Sequence, residues 1–152
     1  MTDPITEDVN GFDESAYDAE LDSRWRDFRI RLADYLADLG VGHRFTVYDM
    51  VSDDHVATAH AEAVATADDT LELVVEAARL AAPGTDRVAR TELLRSQGWQ
   101  VHGDDTIVLG FDRRHVDAAA VAVEYVFRVV WDVPDPAYLT GDQDQTARFF
   151  TP

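Results

Sequence analysis

The sequence predicts an α+β fold, a single domain in which helices pack on one face of an antiparallel sheet, with the element order α-β-β-β-α-β-β-α. Apolar residues recur at helical spacing early in the chain, and polar residues recur at helical spacing near its carboxyl end. Between these stretches apolar and polar residues alternate, with turn signals roughly every fifteen residues. The length of 152 residues suits one domain, and a hydrophobic fraction of 46% is enough to bury a core.

The first predicted helix begins at Asp13 and ends at Gly40. An aromatic pair such as Trp25 and Phe28 can form a binding surface, but in a stripe of this spacing it is more typical of a core. We predict that residues 1–12, which contain Pro4 and show no periodicity, form a disordered acidic tail. The apolar residues of the helix follow steps of three and four and share one face: Tyr17, Leu21, Trp25, Phe28, Leu32, Tyr35 and Leu39.

Three strands are predicted next, at residues 43–50, 56–65 and 71–77, with aspartate pairs at the turns between them. The middle strand is unusual because every second residue from Ala57 to Ala65 is alanine, a poor strand former. A helix therefore remains an alternative for this stretch. A row of small side chains on a strand would, however, let a helix pack closely against the sheet.

A second helix is predicted from Thr85 or Asp86 to about Gln97, with Val88, Leu93 and Leu94 facing inward. Gly98 is expected to end it. A short strand that opens at Trp99, a turn at residues 103–105 and a strand at residues 106–111 then form a hairpin. On the last strand we expect the residues at 107, 109 and 111 to share one face.

Residues 113–131 are rich in β-branched and aromatic side chains, so propensity alone suggests a strand. Their polar residues nevertheless fall on one narrow face at helical spacing, and Glu124 and Arg128 form a favourable i, i+4 pair. We therefore predict a helix that is buried on most of its circumference, against the sheet or a second subunit. Pro134 and Pro136 are expected to stop it, and residues 141–152 to form a polar tail.

The chain is strongly acidic, with 30 acidic and 13 basic residues and a net charge of −17. Such a charge repels phosphate groups, so we predict no nucleic-acid binding and no membrane insertion. Attraction to a basic partner and adaptation to a high-salt cytoplasm both explain the acidity. The amino-terminal residues lack the apolar stretch of a secretory signal, and a cytoplasmic location is expected.

Known catalytic patterns are absent from the sequence. The chain has no cysteine and no lysine, which excludes thiolate nucleophiles and Schiff-base or phosphate-loop lysines. It has no serine elbow and no glycine-rich phosphate loop. We therefore predict a non-enzymatic protein without catalytic residues, metal or cofactor. The histidines show no metal-ligand spacing: His43, His55, His60, His102 and His115.

The second half of the chain resembles a bacterial family related to type III secretion chaperones and to YbjN. The segment ELLRSQGW at residues 92–99 is similar to a helix end of that family, with Gly98 and Trp99 on its pattern. The ending over residues 127–139 matches at Val133, Pro136 and Leu139. The resemblance covers a domain of residues 13–140, and the family's element order is the one predicted above. The chain departs from the family pattern where Asp132 replaces a frequent glycine.

The resemblance implies a chaperone-like, homodimeric protein that binds a segment of a partner polypeptide, held in extended form on apolar patches. We expect contact on the sheet face opposite the helices. Two alternatives remain: a small-ligand binder or enzyme that uses carboxylates and a histidine in a pocket, and a structural subunit of a larger complex. The predicted contact residues are Tyr48, Val56, Thr58, His60, Val64 and Val74.

Overall fold

A computed structural model describes residues 14–49, 59–67, 69–80, 87–103 and 105–141. It confirms the α+β class and the predicted element order. The described elements are α1 (Glu14–Ala37), β1 (Arg44–Asp49), β2 (His60–Ala67), β3 (Thr70–Glu76), α2 (Arg87–Ser96), β4 (Gln100–His102), β5 (Thr106–Asp112), α3 (Val116–Tyr125) and β6 (Leu139–Gly141).

The strands form one antiparallel sheet in the order β4-β5-β3-β2-β1-β6. Side chains alternate across it, as the period of two requires. On one face the side chains of Phe45, Ala63, Leu73 and Ile107 are buried, and they join one continuous cluster with the buried residues of the helices. All three helices therefore pack on this face of the sheet, as predicted.

The alanine-rich stretch forms a strand, not the alternative helix, although it begins at His60 in place of residue 56. Ala59, Ala61, Ala63 and Ala65 are all buried on the helix-covered face. Small side chains let the helices approach the sheet closely here, which outweighs the low strand propensity of alanine. The predicted residues 56–58 lie outside the described part of the chain.

Helix α1 contributes the largest buried side chains of the core. Trp25 and Phe28 are fully buried and meet edge to face with ring centroids 5.5 Å apart, which confirms their interpretation as core. The predicted stripe is wrong at its amino-terminal end, where Tyr17 is 51% exposed. It also omits Leu36, which is fully buried. Each helical turn falls short of four residues, so the buried face moves around a helix of this length.

Helix α2 has the predicted end but a narrower buried face than predicted. Gly98 has a φ of +95°, the left-handed conformation that glycine adopts without strain, and the chain turns there into the buried Trp99. Of the three residues expected to face inward, only Leu94 is buried, whereas Val88 is 71% exposed and Leu93 is also exposed. A helix of ten residues at the side of the sheet has room for few core contacts.

The stretch 113–131 is helical, as its polar spacing predicts. A 3-10 turn at residues 113–115 leads into α3, and a π-helical turn at residues 126–130 follows it. Asp112 caps the first turn by accepting hydrogen bonds from the backbone and side chain of Arg114, which lower the pKa of the carboxyl to about 2. Glu124 of α3 faces α1, where it pairs with Arg29.

The segment after the last helix differs from the prediction, in which prolines end the helix and a polar tail begins at residue 141. Pro136 begins a 3-10 turn, and residues 139–141 then add β6 to the outer edge of β1. A strand of three residues is too short for its alternation to be detected in the sequence. The tail predicted at residues 1–12, and residues 142–152 of the tail predicted from residue 141, lie outside the described residues.

Candidate functional site

The sheet face opposite the helices is the candidate site and is called the open face below. Its residues alternate with those of the core, and most are half-buried, whereas core-facing neighbours such as Phe45, Ala63 and Leu73 are buried. Within the described residues, the helices pack only on the other side of the sheet. The open face consists of Arg44, Thr46, Tyr48, His60, Glu62, Val64, Glu72, Val74, Glu76, Gln100, His102, Thr106, Val108 and Gly110.

An apolar centre spans three neighbouring strands of the open face, β5, β3 and β2. Val74 on β3 lies directly opposite Val108 on β5, and Val64 on β2 lies opposite Glu72. Gly110 follows Val108 on the same face and is exposed, and a Cβ built there would meet no atom within 4 Å. This part of the sheet is thus a shallow apolar surface with free space above Gly110.

An aromatic pair borders this centre on the side of β1. Tyr48 and His60 lie opposite each other, and their rings stack with centroids 6.5 Å apart. Burial lowers the pKa of His60, and the charge of Arg79 lowers it further, against smaller opposite effects of Glu62 and Glu76. The imidazole is therefore held in its neutral form, and it presents a flat, uncharged ring beside the apolar centre.

Lowering the pH from about 7.5 to about 5.5 is expected to destabilise the protein through His60. The unfolded chain binds this proton near the ordinary histidine pKa of about 6.5, whereas the folded protein binds it only at lower pH. The contribution of the neutral His60 to the free energy of unfolding is therefore complete above about pH 6.5 and is lost as the pH falls below that value. Urea unfolding at both pH values should show that the free energy of unfolding falls less between them for His60→Gln than for the wild type.

A matched variant, His102→Gln, changes an exposed histidine on the same face at the edge strand. It is expected to keep the pH dependence of the wild type. An equal loss of stability in His60→Gln and in the wild type would contradict the role of His60.

Carboxylates surround the apolar centre. Glu62 pairs with Arg44 at 3.0 Å, and Glu76 pairs with Arg79 at 2.7 Å. Within the described part of the chain, Glu72 forms no ion pair. Apolar side chains flanked by a free carboxylate give the face an amphipathic and locally acidic character.

Four of the six predicted contact residues lie on the open face: Tyr48, His60, Val64 and Val74. Val56 and Thr58 lie outside the described residues. The sequence reasoning did not include Val108 or Gly110. Their alternation with Ile107 and Leu109 was visible, but assigning them to the same surface as Val74 requires knowing that β5 pairs with β3.

No group of three or more histidine, aspartate or glutamate side chains in the described part of the chain is arranged to hold a metal ion. None of the described helices is both long and apolar enough to cross a membrane.

Comparison with protein families identifies the domain. Residues 18–145 match the model of the family described as T3SS (YopN, CesT) and YbjN peptide-binding chaperone 3, or TY-Chap3. The chain belongs to this family. The match covers every described strand and nearly all of α1, so the open face of this TY-Chap3 domain lies entirely within it. No curated protein and no solved structure matches the chain significantly.

Proposed function

We propose that this TY-Chap3 protein is a non-enzymatic, cytoplasmic and homodimeric chaperone that holds a segment of a partner polypeptide on the open face of its sheet. The observation that supports this site is the apolar centre formed by Val64, Val74 and Val108, on the face against which none of the described helices packs. The family is described as one of peptide-binding chaperones, which supports a polypeptide ligand, and the geometry of the sheet supports the choice of surface.

The open face suits an extended segment with alternating side chains. Opposed residues on neighbouring strands form rows across the sheet, and along β3 the apolar Val74 lies between the acidic Glu72 and Glu76. A ligand with apolar residues two positions apart would place them on Val74 and Val108. Basic residues between or beside them would reach the free carboxylate of Glu72. The net charge of −17 would attract such a basic segment at long range.

Variants that change the open face without touching the core test this proposal. Gly110→Trp should fill the space above the sheet, and Val74→Asp should place a charge in the apolar centre. We expect each to reduce the polypeptide captured from native lysate at least about tenfold, because apolar surface next to the ligand is lost or blocked. Capture is read by affinity purification and mass spectrometry.

Val88→Trp and Val88→Asp are matched controls, because Val88 is 71% exposed on α2 and lies away from the sheet face. Both should capture the same polypeptide as the wild type. Circular dichroism and thermal unfolding confirm that all four variants are folded. Undiminished capture by folded Gly110→Trp and Val74→Asp would exclude the open face as the binding surface.

A further inference from the structure

Strand β6 directs the residues that follow it along one edge of the open face. It runs antiparallel to β1, and its last residue, Gly141, lies opposite Val47. Thr140 lies opposite Tyr48 and therefore shares the open face with it. The chain thus leaves the described part of the sheet in the direction of Arg44, the residue at which β1 begins.

A row of paired residues crosses the open face from Arg44. Val64 of β2 lies opposite Arg44, and Glu72 of β3 lies opposite Val64. Gly110 of β5 lies opposite Glu72 and ends the row. The row therefore passes from the edge beside β6 to a carboxylate that forms no ion pair within the described residues, and then to the free space above Gly110.

The open face is most enclosed on the side of β6. Of its described residues Thr46 alone is buried, at 7% exposed, although none of the described helices packs on this face. Thr46 follows Val47 toward Arg44, just beyond the last described pair between β1 and β6. Gly110, at the far end of the row, is exposed. The face is therefore enclosed where the chain leaves the sheet and open where the row ends.

The residues that follow β6 match the chemistry of this row. Residues 142–152 read DQDQTARFFTP. The two acidic residues come first, and Arg148, the single basic residue of the segment, directly precedes Phe149 and Phe150. A basic residue next to large apolar side chains is the combination that suits the apolar centre and the free carboxylate of Glu72.

The segment is long enough to cross the row. Glu72 lies about 10 Å along the strands and about 14 Å across them from Gly141, or about 17 Å in a straight line. The seven residues from 142 to 148 span up to about 23 Å when extended. Strand β5 lies about 5 Å farther across the sheet, which the next two residues, Phe149 and Phe150, can reach.

We propose that residues 146–150 lie on the open face of their own chain, with Arg148 at Glu72 and the phenylalanine rings on the apolar centre, and that the partner polypeptide must displace them. The displacement rests on the proposed function, because both ligands take the same surface. A segment on so short a linker has an effective concentration on the order of 1 mM. A contact with a dissociation constant of about 0.1 mM is then formed in about 90% of the molecules, and a competing ligand binds about tenfold more weakly.

Fluorescence anisotropy of the purified full chain tests the contact, with a labelled peptide of residues 142–152 as the probe. Phe149→Ser/Phe150→Ser removes both rings from the chain's own segment without a change of charge, and this variant should bind the probe about tenfold more tightly than the wild type. Val88→Ser, at an exposed valine of α2, should bind the probe as the wild type does. A probe with serine at both phenylalanine positions should bind none of the three proteins.

Two further measurements locate the contact on the sheet. Adding Gly110→Trp to Phe149→Ser/Phe150→Ser should weaken probe binding at least about tenfold, because the indole fills the space above the row. A photoreactive phenylalanine analogue at position 149 of the purified full chain should link, within one copy, to peptides that contain β3 or β5. Mass spectrometry identifies the linked peptides.

Equal affinity of the probe for the wild type and for Phe149→Ser/Phe150→Ser would overturn the inference. Probe binding that Gly110→Trp leaves unchanged would also overturn it, as would links from position 149 only to the helices or only to a second copy. These measurements do not involve the partner polypeptide, so they leave the proposed function to the capture experiment. Undiminished capture by Gly110→Trp, together with the expected probe results, would overturn the proposed function and the displacement but not the contact of the segment with the sheet.

Discussion

Replacing Phe127 with alanine is expected to lower the free energy of unfolding by about 4 kcal/mol. Phe127 is fully buried in the π-helical turn after α3, and its ring lies 5.3 Å from that of Trp131. The change removes the aromatic contact and leaves a cavity that the packed turn is too constrained to close. A domain of this size has about 5–15 kcal/mol of stability in total.

Equilibrium urea unfolding, followed by circular dichroism, measures this loss. Phe127→Leu should cost clearly less, because it keeps most of the buried volume. Val129→Ala, at an exposed position of the same turn, should change the free energy of unfolding by less than about 0.5 kcal/mol. A loss below about 1 kcal/mol for Phe127→Ala would contradict the packing of this turn in the core.

Replacing Glu124 with alanine is expected to lower the free energy of unfolding by about 2 kcal/mol. The carboxylate is only 12% exposed and accepts hydrogen bonds from both Arg29 and Arg128. Arg128 keeps its pairing with Asp22, which together with Glu124 raises its pKa, whereas the guanidinium of Arg29 would lose its ion pair. The cost is below the ~3–5 kcal/mol typical of a fully buried pair, because both arginines keep about 30% of their side-chain surface in solvent.

Arg24→Ala is the matched control, since it removes a surface ion pair with Asp135 in which Arg24 is 46% exposed. This change should lower the free energy of unfolding by about 0–1 kcal/mol. Urea unfolding of both variants at low and high salt compares the two pairs, and only the surface pair should weaken strongly with salt. Equal losses for Glu124→Ala and Arg24→Ala would contradict the assignment of Glu124 as the ionic link between α1 and α3.

The same ion pairs explain why the helix at residues 113–131 could be predicted against its strand propensity. Glu124 and Arg128 sit at helical spacing because they face partners on α1. The spacing of these two residues in the sequence therefore reflected a tertiary contact. Other features depend on contacts that sequence spacing does not record. Val88 and Leu93 fit an amphipathic pattern, yet α2 packs through Leu94 alone among these three.

The candidate site, too, could be predicted from the sequence only in part. The period of two on each strand sufficed to place Tyr48, His60, Val64 and Val74 on one face. Joining that face to Val108 required the order of the strands, in which β5 lies beside β3 and not beside β2. Pairing between strands distant in the sequence is a tertiary property, so the width of the open face was not predictable from alternation alone.

The central claim is that the open face holds the partner polypeptide, and site-specific photo-crosslinking tests it whichever polypeptide the partner is. A photoreactive phenylalanine analogue is placed singly at Val108, and for comparison at Val121 and Val88, which are exposed on α3 and α2. After irradiation in cells, adducts are isolated and their peptides are identified by mass spectrometry. We expect a polypeptide adduct from position 108 and no such adduct from position 121 or position 88. A partner adduct from position 121 or 88 together with none from position 108 would contradict it.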